Sequence, residues 1–215
     1  MTVRILLSLL FSLALGVAFF LSTPPLYAQT IPQRTAEQLK ASYEAHRGDF
    51  DYLLGDWEFT SVSQEYGPGR GYWSAVRLAE GGQILDEYRV VGEGGETYYV
   101  TSTLRAYNAV IDQWELVSVE SGNGLHDVGT ARKVGAEMHI EQKFGVMSKH
   151  PSLWRIRYFD IRPDRFSWTG DRSTDGGKTW TTKWLQIEAR RIGPPRSIGP
   201  LAPAKAAPKA GVRKS

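Results

Sequence analysis

Between Gly55 and Arg191 the chain breaks into about ten short segments of period-two hydrophobicity, each closed by a turn signal. The segments lie near 54–63, 70–79, 83–91, 96–106, 113–120, 125–133, 136–145, 152–161, 165–171 and 179–190. Gly67-Pro68-Gly69, Gly81-Gly82, Gly92-Glu93-Gly94-Gly95, Gly122-Asn123-Gly124, Val134-Gly135, Pro163-Asp164 and Asp175-Gly176-Gly177 separate them. Links this short join antiparallel neighbours, because a parallel partner needs a long crossover. Many short strands at even spacing make a sandwich or a barrel.

Two cues favour the barrel. If the hairpin around Asp175-Gly176-Gly177 sets Trp168 opposite Trp184, one face carries Phe166, Trp168, Gly170, Trp180, Thr182, Trp184, Gln186, Glu188 and Arg190. The other carries Ser167, Thr169, Asp171, Thr181 and Lys183. The aromatic set belongs inside. Arg190 then points inward, where a guanidinium stacked on Trp57 of the first strand can plug one end of a closed sheet. The expected fold is all-β: an antiparallel up-and-down barrel of about ten strands with one N-terminal helix. That helix is expected over residues 36–47, where Thr35 and Gln38 have capping-box spacing and Leu39 and Tyr43 share a face.

The ends of the chain read differently. Residues 1–28 are expected to be an export signal: Arg4, then the apolar run Ile5–Leu21, then Thr23-Pro24-Pro25 and a small residue, Ala28, before Gln29. An uncleaved N-terminal anchor is the competing reading, and no Cys follows the run to carry a lipid. Residues 29–49 are a linker with the helix, 50–191 the barrel, and 192–215 a Pro/Ala/Lys-rich tail without periodicity, expected to be disordered. Of 26 basic residues five lie in that tail and one is Arg4, which leaves 20 in the core against 23 acids. The folded part is near −3 although the chain is +3. No basic stripe persists in the domain, so nucleic acid is not an expected partner. With no cysteine, disulfides, thiolate catalysis and thiolate metal sites are excluded.

Few motifs carry chemistry. Ser173-Thr174-Asp175-Gly176-Gly177-Lys178-Thr179-Trp180 has the Asp-box form found in sialidase propellers, but a propeller needs several copies. A local turn role explains it: Asp175 bonds backbone donors and Trp180 packs beneath. His126 and His139 are expected on the solvent face of the Val134-Gly135 hairpin, too far apart to share a metal. Single-histidine haem ligation stays as a minor reading; neither a metal nor a cofactor is expected. Asp86 and Glu87 point to opposite faces. If Pro163-Asp164 centres a tight hairpin, Phe159 faces Trp168 and Arg157 stands inside, needing an anion from a ligand. A one-residue bulge there instead turns Arg157 out and Trp154, Ile156 and Tyr158 in. Both registers stay open.

The stretches Phe50–Trp57 and Asp160–Trp168, and Asp175–Trp180 followed by Glu188-Ala189-Arg190-Arg191, resemble an uncharacterised family of secreted bacterial proteins with a lipocalin-like (calycin) barrel, a domain of unknown function. The likeness spans about residues 50–191. It implies a barrel and, by analogy, binding of small hydrophobic molecules, with Trp57 and Arg190 structural.

The leading expectation is thus an exported, periplasmic or secreted barrel that binds a small hydrophobic or amphipathic molecule. Its lining would include Tyr88, Trp114, Arg157, Trp168, Trp184 and Gln186. The protein would meet membrane only through its signal, as a monomer or weak homodimer. Two alternatives remain: a small barrel enzyme, an isomerase or hydrolase using Glu188 or a tyrosine as acid/base group, and a packed envelope module that meets a partner. Nothing in the sequence demands catalysis.

Overall fold

In the computed structural model, which describes residues 33–78 and 82–198, the alternating segments become strands. They are β1 (Gly55–Ser63), β2 (Gly67–Leu78), β3 (Ile84–Val91), β4 (Thr97–Asn108), β5 (Gln113–Glu120), β6 (Gly124–Val134), β7 (Glu137–Phe144), β8 (Ser152–Phe159), β9 (Arg165–Ser173) and β10 (Thr181–Gly193). Each pairs antiparallel with the next, and β1 pairs with both β2 and β10, so the ten strands close into a barrel. No described helix is long and apolar enough to cross a membrane. The expected export signal lies outside the described residues.

One end is stoppered by the segment preceding β1. Helix α1 (Ala36–His46) starts in a capping box between Thr35 and Gln38, as the spacing requires. Ser42 on this helix meets the Tyr107 hydroxyl at 2.9 Å, and His46 stacks on the Tyr107 ring. A 3₁₀ turn at Asp51–Leu53 then pushes Phe50 and Leu53, both fully buried, into the barrel end. Trp57 Nε1 donates to the Leu53 carbonyl at 2.8 Å, which ties this plug to β1.

The closing arginine is Arg191, not Arg190. Arg191 lies opposite Trp57 in the β1–β10 ladder, with its guanidinium 4.0 Å from the indole. It also donates to the carbonyls of Tyr52 and Leu54. Arg190 points outward, 73% exposed, and pairs with Glu58. The reason is register. The β9–β10 hairpin starts from Thr181 opposite Arg172, and extra residues around Lys183 (φ 51°) move the pairing to Leu185 opposite Gly170. Trp168 therefore faces Ile187 rather than Trp184. An odd displacement exchanges the two faces: Leu185, Ile187 and Ala189 turn in, while Gln186, Glu188 and Arg190 turn out.

The chain beyond the barrel is also more ordered than expected at its start. Strand β10 runs to Gly193, and Arg196–Ile198 form β11, parallel to Val76–Leu78 of β2. This strand takes the place beside β2 that β1, starting at Gly55 opposite Ala75, leaves vacant. Arg196 pairs with Asp56 and donates to Ser74 Oγ. The rest of the expected tail lies outside the described residues.

Candidate functional site

Above the plug the barrel is hollow. A cavity of about 1280 Å³ runs from the polar floor at Asp86 and Arg105 to a mouth ringed by Tyr66, Pro68, Gly92, Glu93 and Tyr98. Typical ligand sites measure about 300–1,000 Å³, so a drug-sized molecule fits.

One wall is aromatic. Trp73, Tyr88, Trp154, Trp168 and Trp184 line it, with Tyr158 and Ile156 below. Tyr88 stacks flat on Phe59 at 4.9 Å, and Trp154 meets Trp184 edge-on at 5.0 Å. Gly170 leaves room for two of these rings: a Cβ there would come within 2.6 Å of the Trp168 indole and 2.9 Å of Trp154. At the rim Arg172 lies over Trp184 and pairs with Glu65 at 3.1 Å.

The facing wall is polar and comes chiefly from β4, whose inward residues are Tyr99, Thr101, Thr103 and Arg105. Arg105 (3% exposed) holds Asp86 (2% exposed) through Nε at 2.7 Å and Nη2 at 3.1 Å, and Trp73 Nε1 donates to the same carboxylate at 2.7 Å. Burial opposes the Arg105 charge, but Asp86 overcomes it and holds the guanidinium above its ordinary pKa. Nearer the mouth, Asp127 is buried and accepts from Ser118 Oγ at 2.9 Å and Gln142 Nε2 at 2.6 Å. His126 Nδ1 stands 2.8 Å from its other oxygen, and His126 Nε2 is 3.1 Å from the Tyr99 hydroxyl. Burial, with the charges of Glu120 and Asp127, pushes the Tyr99 phenol far up, so it stays protonated. Burial does the same to Tyr88.

Of the six residues expected to line the cavity, Tyr88, Trp168 and Trp184 do so. Trp114 points inward but lies under the plug, edge-on to Phe50 at 5.1 Å and outside the cavity. Arg157 stands on the outer surface, 3.5 Å from Glu137 and over Phe159. The β8–β9 link is the five residues Asp160–Asp164 rather than a tight hairpin, and Tyr158, not Phe159, faces Trp168. Of the two registers open for this hairpin, the one that turns Trp154, Ile156 and Tyr158 inward is formed. Gln186 is exposed, and Glu188, offered as an acid/base group, lies outside with Ser167 Oγ 2.6 Å away.

His126 also departs from expectation. His139 does face outward, beside Glu137 at 2.7 Å. His126, however, sits in a bulge: Leu125 pairs with Val119 and Asp127 with Ser118, so His126 has no partner on β5. The bulge turns it into the cavity beside Asp127. The Asp-box-like turn is local in its bonding: Asp175 accepts from the Lys178 and Thr179 backbones at 3.0 Å and from the hydroxyls of Ser173 and Thr179.

No protein-family model matches the chain, and no curated protein matches it. Among solved structures the chain is similar to a redesigned β-barrel, mFAP1, bound to DFHBI (TM-score 0.35, 13% identity, 66% of this chain and 96% of that one). It is also similar to the S-type phycobiliprotein lyase CPES from Guillardia theta (TM-score 0.42, 12% identity, 76% of this chain and 98% of that one).

Proposed function

We propose that this protein is an exported carrier that encloses a small, flat, amphipathic molecule in its barrel. One observation carries the reading: a cavity of about 1280 Å³ with four tryptophans on one side and a hydrogen-bonded polar wall on the other. Aromatic surface supplies affinity without a charge requirement, and a few placed polar groups orient the occupant. The buried cation does not call for an anionic ligand, since Asp86 already balances Arg105. Organic extraction of purified full-length protein followed by mass spectrometry tests this directly. A small aromatic molecule at near-stoichiometric yield is expected, and the extracted, refolded protein should take up naphthalene. No extracted compound together with no naphthalene uptake contradicts the reading. Export is tested by sequencing the N-terminus of the protein outside the cytoplasm: it should begin at Gln29.

A second reading, a small barrel enzyme, is favoured by His126 alone, which has the form of a base oriented by a buried carboxylate, Asp127. Incubating the protein with its extracted ligand separates the two: a carrier returns the compound unchanged, an enzyme converts it.

A further inference from the structure

With His126 as a neutral imidazole, whose Nε2 lies 3.9 Å from Glu120, the hydrogen bonds along the polar wall have one consistent direction, and that direction restricts what the cavity accepts. Asp127, as a carboxylate, can only accept. Its Oδ2 therefore takes a proton bond from His126 Nδ1, 2.8 Å away, and a neutral imidazole protonated at Nδ1 must accept at Nε2. The group 3.1 Å from Nε2 is the Tyr99 hydroxyl, so Tyr99 donates to His126. On the other side, the Ser118 hydroxyl donates its one proton to Asp127 Oδ1. The 2.9 Å contact between Ser118 and Thr103 can then be satisfied only by the Thr103 proton.

Both chains thus run toward one carboxylate and end in oxygens whose protons are already committed. Tyr99 Oη and Thr103 Oγ1 sit on the same strand, both lining the cavity, with the Thr101 hydroxyl between them. Each can receive a hydrogen bond from a ligand and neither can give one without breaking its chain. Chains of this kind polarise their members, which strengthens the terminal acceptors. Further down the strand Arg105 has the opposite character: it retains N–H groups beyond the two it gives to Asp86.

We propose, building on the cavity reading above, that the site selects aromatic molecules bearing a hydroxyl donor, phenols or enols, over molecules of the same shape that can only accept. A ligand oxygen without a proton placed at Tyr99 or Thr103 meets lone pair against lone pair, and the mismatch is buried.

Two probes isolate this property: 1-naphthol and 1-methoxynaphthalene, titrated calorimetrically into the extracted full-length protein. An apolar pocket ranks the ether first, because it carries one more methyl group. The proton order of the wall ranks the naphthol first, by about tenfold, the usual consequence of one buried mismatch. An ether that binds as well or better overturns the proposal while leaving the cavity reading intact. Failure of both probes to bind removes the cavity reading, and the proposal with it. In Asp127→Asn the amide can donate as well as accept, so the chains can reverse, and the preference should fall below about twofold. Thr103→Val, a milder change, removes one terminal acceptor and should reduce the preference. A tenfold preference that persists in both variants also refutes the assignment.

Discussion

The Asp86–Arg105 pair offers a quantitative test of whether the cavity floor excludes water. Arg105 is 3% exposed and Asp86 2%, and they share two hydrogen bonds. In Arg105→Met the stem volume is kept and the charge lost, which leaves Asp86 buried with Trp73 Nε1 as its remaining partner. Removing one member of a buried pair costs about 3–5 kcal/mol, because the other charge is stranded. For a domain of this size each kcal/mol lowers Tm by about 2–4 °C, so a fall of about 6–20 °C is expected. Asp86→Asn strands the guanidinium and should cost a similar amount. The double variant Asp86→Asn/Arg105→Met has no stranded charge and keeps an acceptor for Trp73, so it should lie within about 2 kcal/mol of the parent. Urea unfolding followed by tryptophan fluorescence measures all four proteins. A loss below about 1 kcal/mol in Arg105→Met, the size seen for surface pairs, would show that the floor is wet and refute the reasoning.

Three further outcomes follow from the same structure. Arg191→Ala loses the stack on Trp57 and the bonds to the Tyr52 and Leu54 carbonyls, and should cost about 2–4 kcal/mol, whereas Arg190→Ala should cost under about 1 in the same urea assay. Lys183 holds φ 51°, a region that disfavours a side chain, so Lys183→Gly should raise stability by up to about 1 kcal/mol if the irregular stretch is intrinsic to the fold. Stability should also fall at acid pH. Hydrogen bonds from Thr179, then Ser173 and Lys178, hold Asp175 at about 2, below its ordinary 3.8, and Arg196 lowers Asp56. A depressed carboxyl stabilises the fold above the unfolded value and ceases to do so as pH drops through the folded one. The loss should therefore appear between pH 3.8 and about 2 in a series of thermal melts. A flat profile across that window would contradict these contacts.

The barrel strands were legible in the sequence because turn residues punctuate them: eight of the nine links between them carry Gly, Pro, Asn or Asp. The facing of two strands was not. A hairpin register read from aromatic matching alone placed Trp168 opposite Trp184, yet the alternation within β10 already opposed it, since Leu185, Ile187 and Ala189 alternate with Gln186, Glu188 and Arg190. The same signal in β8, Trp154, Ile156 and Tyr158 against Arg155 and Arg157, named the register that forms. Tertiary placement hid the rest. Trp114 has inward parity but lies beneath Phe50, which only the plug decides. His126 turns inward through a bulge that no residue type marks. The polar wall on β4 runs against the usual pattern, with Thr101, Thr103 and Arg105 inside and Leu104 outside, and so escapes any reading by hydrophobic alternation.

The seven tryptophans provide the most direct test of an occupied hollow. Trp73, Trp154, Trp168 and Trp184 line it, while Trp57, Trp114 and Trp180 do not. In a ¹⁵N-labelled protein titrated with 1-naphthol, the indole N–H signals of the first four should move together and saturate, with the other three stationary. Shifts that favour Trp57, Trp114 or Trp180, or that never saturate, would mean the molecule binds elsewhere and the barrel is not a container.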